Sequence, residues 1–450
     1  MRALREWSDI VRMGLVQSAL GAVVVLTTST INRVMVVELS VAASLPGALV
    51  ALHYIVQILR PRLGYGADRG GRRTPWIVGG VAMLALGGFG SALATALMAT
   101  HFALGLALAV LAFVAIGVGV GAAGTALLTL VAVQVAAERR AAAATVLWTM
   151  MIASFVLTTV IAGHFLDPFS MQRLVVVSAC TAVLAVLVTM AAMAGIERAP
   201  AQRPAVHEDA GKTQNQVRFR AALAAIWSEE RTRRFTIFVF ASMLAYSAQD
   251  LILEPFAGKV FGLTPGASTQ LTGVQHGGVL AGMLLVALLG SSARGRRWIT
   301  LRGWTLIGCH ASALALASLS AAALVGPGWP LRVSVMLLGV ANGAFTIAAI
   351  GSMMGLASEG REHNEGMRMG LWGAAQALAF GIGGFLGTLA VDLATLLLGD
   401  AASAYAWVFA LDAALFVLAA HAAARIVRVD ATRGPEAAKG AAWMLGGTTP

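Results

Sequence analysis

Twelve long apolar runs divide this chain, and nothing else in it restricts the fold so severely. They fall at about 12–37, 45–61, 75–98, 102–136, 142–166, 173–195, 235–255, 267–290, 298–323, 331–357, 366–394 and 402–426. At 1.5 Å per helical residue, about 20 residues cross the roughly 30 Å hydrocarbon layer of a bilayer. Inside lipid a backbone must satisfy its own N–H and C=O groups, which a helix does within one segment. The runs therefore predict an all-α membrane protein with twelve transmembrane helices. Composition excludes a soluble domain: 12% of the 450 residues are charged and 58% are hydrophobic, whereas soluble proteins carry about 25% charged residues.

Charge sets the expected orientation. With the N-terminus in the cytoplasm and the loops assigned alternately, 28 of the 32 Lys and Arg fall on the cytoplasmic side. Arg33, Arg173, Lys259 and Arg332 fall on the other. This is the positive-inside bias of a multi-pass membrane protein, and it places both termini in the cytoplasm. No basic segment lies away from an apolar span, so the net charge of +11 points to membrane lipid and not to nucleic acid. The stretch MRALREWSDIVRMG leads into a run too long for a signal-peptide core, so it is expected to remain as the first helix. Cys180 and Cys309 lie in apolar runs without ligand spacing, which indicates neither a disulfide framework nor a zinc site.

The main polar segment divides the runs six and six. We expect a six-helix domain at 1–196, a cytoplasmic linker with an amphipathic helix at 197–234, a second six-helix domain at 235–428, and a tail at 429–450. The halves echo each other. His53 in the second run precedes Gly71-Arg72-Arg73, and His276 in the eighth precedes Gly295-Arg296-Arg297 at nearly the same spacing. Two pseudo-symmetric bundles built from parallel repeats are a transporter architecture.

Charges at membrane depth are costly and need partners. Arg33 and Glu38 near the end of the first run, and Asp250 and Glu254 in the seventh, occupy matched places in the two halves. The expectation is an interdomain ion pair between Arg33 and Asp250, with Glu38 and Glu254 as secondary acceptors. The alternative is that these groups merely reach the interface.

Between the second and third runs, Gly64, Asp68, Arg69, Gly71, Arg72 and Arg73 form G-x-x-x-D-R-x-G-R-R. This resembles the signature loop of the major facilitator superfamily, where it latches the two halves on the cytoplasmic side. The counterpart LLGSSARGRR has Ser292 in place of the aspartate. The fourth run has no embedded arginine and the fifth no glycine-proline signature, so the superfamily's usual coupling motifs are missing. Longer strings, among them TSTINRVMVVELSVAASLPGALVALHYIVQILRPRLGYGADRGGRRTPWI and SAQDLILEPFAGKVFGLTPGASTQLTGVQHGGVLAGM, are similar to the PucC family. Those bacterial proteins assist assembly of light-harvesting complexes, and the first run looks most like the branch found beside bacteriochlorophyll synthase.

The resemblance implies an assembly factor in the cytoplasmic or intracytoplasmic photosynthetic membrane, with light-harvesting α and β polypeptides, and bacteriochlorophyll synthase, as partners. A secondary transporter of a small amphiphile or tetrapyrrole is the rival reading. His53, with Gln57 one turn later, and His276, beside Gly277, Gly278 and Gly282, are candidates to ligate the magnesium of bacteriochlorophyll; His310 is a third. An interhelical hydrogen bond is the alternative for each. No arrangement resembles a nucleophile with its base or a phosphate-binding loop, so no enzyme is expected.

Overall fold

Every regular element is helical in the computed structural model, which describes residues 2–60, 72–136, 139–197, 227–291, 300–358 and 365–431. In chain order the helices are α1 (Arg2–Val25), α2 (Ser44–Val56), α3 (Thr74–Met98), α4 (Phe102–Gln134), α5 (Arg140–Leu166) and α6 (Met171–Met193). After the linker come α7 (Glu230–Phe261), α8 (Pro265–Ser291), α9 (Leu301–Val325), α10 (Leu331–Ser358), α11 (Glu365–Leu398) and α12 (Ala401–Ala431). Eleven spans among the described residues are long and apolar enough to cross a membrane. The shorter one is α2, whose 13 residues are followed by a 3-10 turn at Gln57–Leu59. Outward-facing residues such as Leu314 (74% exposed) and Leu397 (82%) make the surface itself apolar, as lipid requires.

Two apolar cores organise the bundle. One joins residues between Ile10 and Ile196 and takes in Leu251; the other joins residues between Phe235 and Ala420. Phe256 anchors the second, 4.9 Å from the Phe409 ring and 5.4 Å from Tyr405.

Two elements depart from the expected outline. Beyond Val25, α1 continues in π-helical winding at Leu26–Ile31 and Val34–Glu38. The seventh span was expected to stop at 255, yet α7 runs through Pro255 to Phe261. Gly262 ends it with φ 66°, a left-handed conformation suited to glycine. Proline has no N–H for the carbonyl four residues earlier, and that carbonyl, on Leu251, accepts instead from Asn32 Nδ2 at 2.6 Å. The helix survives its proline because the other half of the chain supplies the missing donor.

Part of the expected organisation lies outside the described residues: the linker over 198–226, the tail from 432, and the counterpart loop with Ser292.

Candidate functional site

A polar seam joins the two core groups at the end where α1 finishes and α2 and α8 begin. Arg33, 2% exposed, donates to Glu38 Oε1 at 2.5 Å and to the Leu263 carbonyl at 2.6 Å. Ser29 and Thr272 both donate to Glu254 Oε1, the latter at 2.6 Å, and their hydroxyls lie 3.0 Å apart. Thr30 meets Thr269 at 3.0 Å. On one flank, the Asp392 carboxylate of α11 accepts from the backbone N–H groups of Ala43 and Ser44 at 2.9 and 2.7 Å. It thereby caps the start of α2, where helical N–H groups lack partners. On the other flank, Thr264 donates to Asp167 at 2.8 Å. Each of these contacts except Arg33–Glu38 and Thr272–Glu254 crosses from residues 2–197 to residues 227–431.

The expected Arg33–Asp250 pair is therefore corrected: the carboxylate facing Arg33 is Glu38. The cause is the π winding, whose backbone bonds run from i to i+5 and bring residues five apart onto one face. In an α-helix, at 3.6 residues per turn, they would diverge by about 140°. Asp250 faces α8 beside Gln275 and His276. Glu254, one turn later and 2% exposed, receives hydroxyls from both halves.

The histidines separate by environment. His53 is 2% exposed, its Nδ1 lies 2.7 Å from the Val50 carbonyl, and its ring stands 4.0 Å from Tyr54. Gln57 accepts from Arg60. His276 is 5% exposed, with Nδ1 3.0 Å from the Thr272 carbonyl and the Phe155 ring 4.9 Å away, edge-on. The room expected beside it is mostly absent. A Cβ at Gly278 would sit 2.5 Å from the Met336 carbonyl oxygen, and one at Gly282 would sit 2.1 Å from that of Val340. These two glycines let α8 and α10 touch backbone to backbone, and only Gly277 faces open space. Both interior imidazoles are buried, each with an aromatic ring beside it. His310 is exposed, with Nδ1 2.8 Å from the Leu306 carbonyl.

Of the signature loop, Gly64, Asp68, Arg69 and Gly71 lie outside the described residues; Arg72 is exposed. The backbone N–H groups of Arg73 and Thr74 donate to the two oxygens of Glu197 at 2.6 and 2.9 Å. This carboxylate caps α3 from the end of α6, within the same half. Burial pushes its pKa up, but these hydrogen bonds and the Arg73 charge outweigh that and hold it below the ordinary value of 4.5.

Sequence reading missed Ser29, Thr30, Asn32, Thr269, Thr272, Asp392 and Glu197. The signal lay in hydroxyl-rich strings, LTTSTIN and TPGASTQLT, at the ends of spans where hydroxyls have no reason to face lipid.

The family profile described as PUCC protein matches residues 30–431. The bacteriochlorophyll synthase 44.5 kDa chain of Rhodobacter capsulatus is 49% identical over 421 residues, covering 94% of this chain and 96% of that one. Protein PucC of Rhodobacter capsulatus is 28% identical over 436 residues, with 92% and 90% covered. Among solved structures, a D-xylose–proton symporter matches with a TM-score of 0.66 at 16% identity, covering 91% of this chain and 97% of that one. At that identity the likeness concerns the fold, which is that of the major facilitator transporters.

Proposed function

The chain belongs to the PucC family, and from that premise we propose that it is an assembly factor for photosynthetic light-harvesting complexes. In this reading it delivers or shields bacteriochlorophyll, or steadies nascent antenna polypeptides, and catalyses no reaction itself. It crosses a bacterial inner membrane, including its intracytoplasmic photosynthetic extension, twelve times, in two pseudo-symmetric halves at 1–196 and 235–428. The linker, both termini and the Gly64–Arg73 loop are cytoplasmic. The polar seam then lies on the extracytoplasmic side and holds the halves shut there.

The observation that carries the reading is the 49% identity, over nearly the whole of both chains, to a protein named for bacteriochlorophyll synthase. Pigment synthesis and antenna assembly meet where new pigment enters new polypeptide, so bacteriochlorophyll synthase and the antenna α and β polypeptides are the proposed partners. The test is deletion in a phototrophic host followed by complementation. Antenna absorbance per cell should fall while pigment precursors are still made, and affinity-purified chain should bring antenna polypeptides with it. Normal antenna in the deletion strain would overturn the proposal.

The transporter-like fold supports a second reading, export or flipping of an amphiphile. Six kinds of cross-half contact at one end weigh against it, because alternating access would have to break all of them in each cycle.

A further inference from the structure

We propose that the bilayer-facing side of α9 around His310 is a docking surface for a magnesium-centred tetrapyrrole, with His310 Nε2 as its axial ligand. The proposal rests on the assembly reading and adds to it the place where pigment is held. His310 is nine residues into α9, so it lies about 14 Å from one end and about 22 Å from the other. That is hydrocarbon depth. It stands on an outward stripe between Ile307 (48% exposed) and Leu314 (74%). A polar ring facing lipid at mid-depth is costly, and such groups ordinarily turn inward.

The ring is also held ready. Its Nδ1 lies 2.8 Å from the Leu306 carbonyl, and a carbonyl can only accept, so Nδ1 carries the proton. With Nδ1 donating, the neutral form of the ring directs the Nε2 lone pair outward, and among the described residues nothing bonds it. Metal-binding histidines are oriented in this way, the second nitrogen donating to a carbonyl that raises the basicity of the first. Lipid phosphates and hydrated cations do not reach this depth. A hydrocarbon-soluble ligand does, provided it carries a Lewis-acid metal with a free axial position and a flat apolar face to lie on Ile307 and Leu314.

His53, His276 and His421 are less suited. His53 and His276 are packed on by aromatic rings. His421 is exposed and bonded to the Val417 carbonyl in the same manner. It lies 20 residues into α12, about 30 Å along and at the edge of the hydrocarbon.

The full-length protein in phosphatidylglycerol–phosphatidylcholine nanodiscs is mixed with bacteriochlorophyll a, and bound pigment is read by absorption and by the resonance-Raman marker of axial coordination. Wild type should hold imidazole-ligated pigment, and His310→Phe should weaken binding by about tenfold or more, at least what losing a supporting partner alone can cost. His310→Gly with added 1-methylimidazole should restore the coordination marker, whereas His53→Phe and His421→Phe should leave it unchanged. Unaltered binding in His310→Phe, or no ligated pigment in wild type, would overturn the site. So would loss of antenna-polypeptide capture in His310→Phe with the marker intact, since that would make the surface a helix-docking face. Antenna yield in the deletion strain tests the assembly reading separately, so the two can fail independently.

Discussion

Asn32 and Pro255 are far apart in sequence, but one supplies the hydrogen bond that the other removes. Asn32→Leu leaves the Leu251 carbonyl buried without a donor, and should cost about 1–3 kcal/mol. Pro255→Ala restores a backbone N–H in register with that carbonyl, so in its presence Asn32→Leu should cost much less. A double-mutant cycle on thermal stability in detergent checks this; additive losses would show that the two residues act independently. Arg33 gives a second residue-level test. Removing one partner of a buried pair typically costs about 3–5 kcal/mol, and with the Glu38 side chain 32% exposed the loss should fall at the lower end. Exchanging Arg33 and Glu38 should recover part of the loss in accumulation, whereas exchanging Arg33 and Asp250 should not. That Arg33 needed a buried anion was legible from its place in an apolar run. Which anion was not, because the partner depends on π winding that no residue type announces.

Helix ends and crossings carry the next set of consequences. Gly278→Val and Gly282→Val drive side-chain atoms into the α10 backbone and should abolish monodisperse protein, while Gly277→Ala should be neutral. Size-exclusion profiles of the three variants decide it. The sequence showed the glycines but not which faced a helix and which faced space, since that depends on how α8 is rotated against α10. For α3, the capping carboxylate Glu197 has a folded pKa below its unfolded value. Its stabilisation is therefore full above about pH 4.5 and is lost as pH falls from there through the folded pKa. Melting temperature should drop across that acid window in wild type, and Glu197→Gln should flatten the step. An unchanged pH profile in the variant would show that the cap adds nothing. Among the described residues, eleven spans and most of their limits could be read from the length of the apolar runs, while α2 is shorter than its run led one to expect. The passage of α7 through Pro255 could not, because proline ordinarily ends a helix unless a distant donor compensates.

For the molecule as a whole, the seam that ties residues 2–197 to residues 227–431 separates a scaffold from a transporter. The repeat of His53 and His276 before basic loops is the sequence signal for a two-part layout. The seam was not, because it is made of hydroxyls and backbone carbonyls whose pairing exists only after the halves meet. A scaffold for assembly can keep that end shut permanently, whereas alternating access must open it. Thr30 and Thr269 face each other across the seam with their hydroxyl oxygens 3.0 Å apart, within reach of a disulfide if both become cysteine. The pair is introduced after Cys180 and Cys309 are replaced by serine and alanine, and antenna absorbance per cell is measured in a phototrophic host with cross-linking verified on gels. Wild-type antenna levels in fully cross-linked protein are predicted. Antenna lost on cross-linking and regained on reduction would contradict the scaffold and require the seam to open.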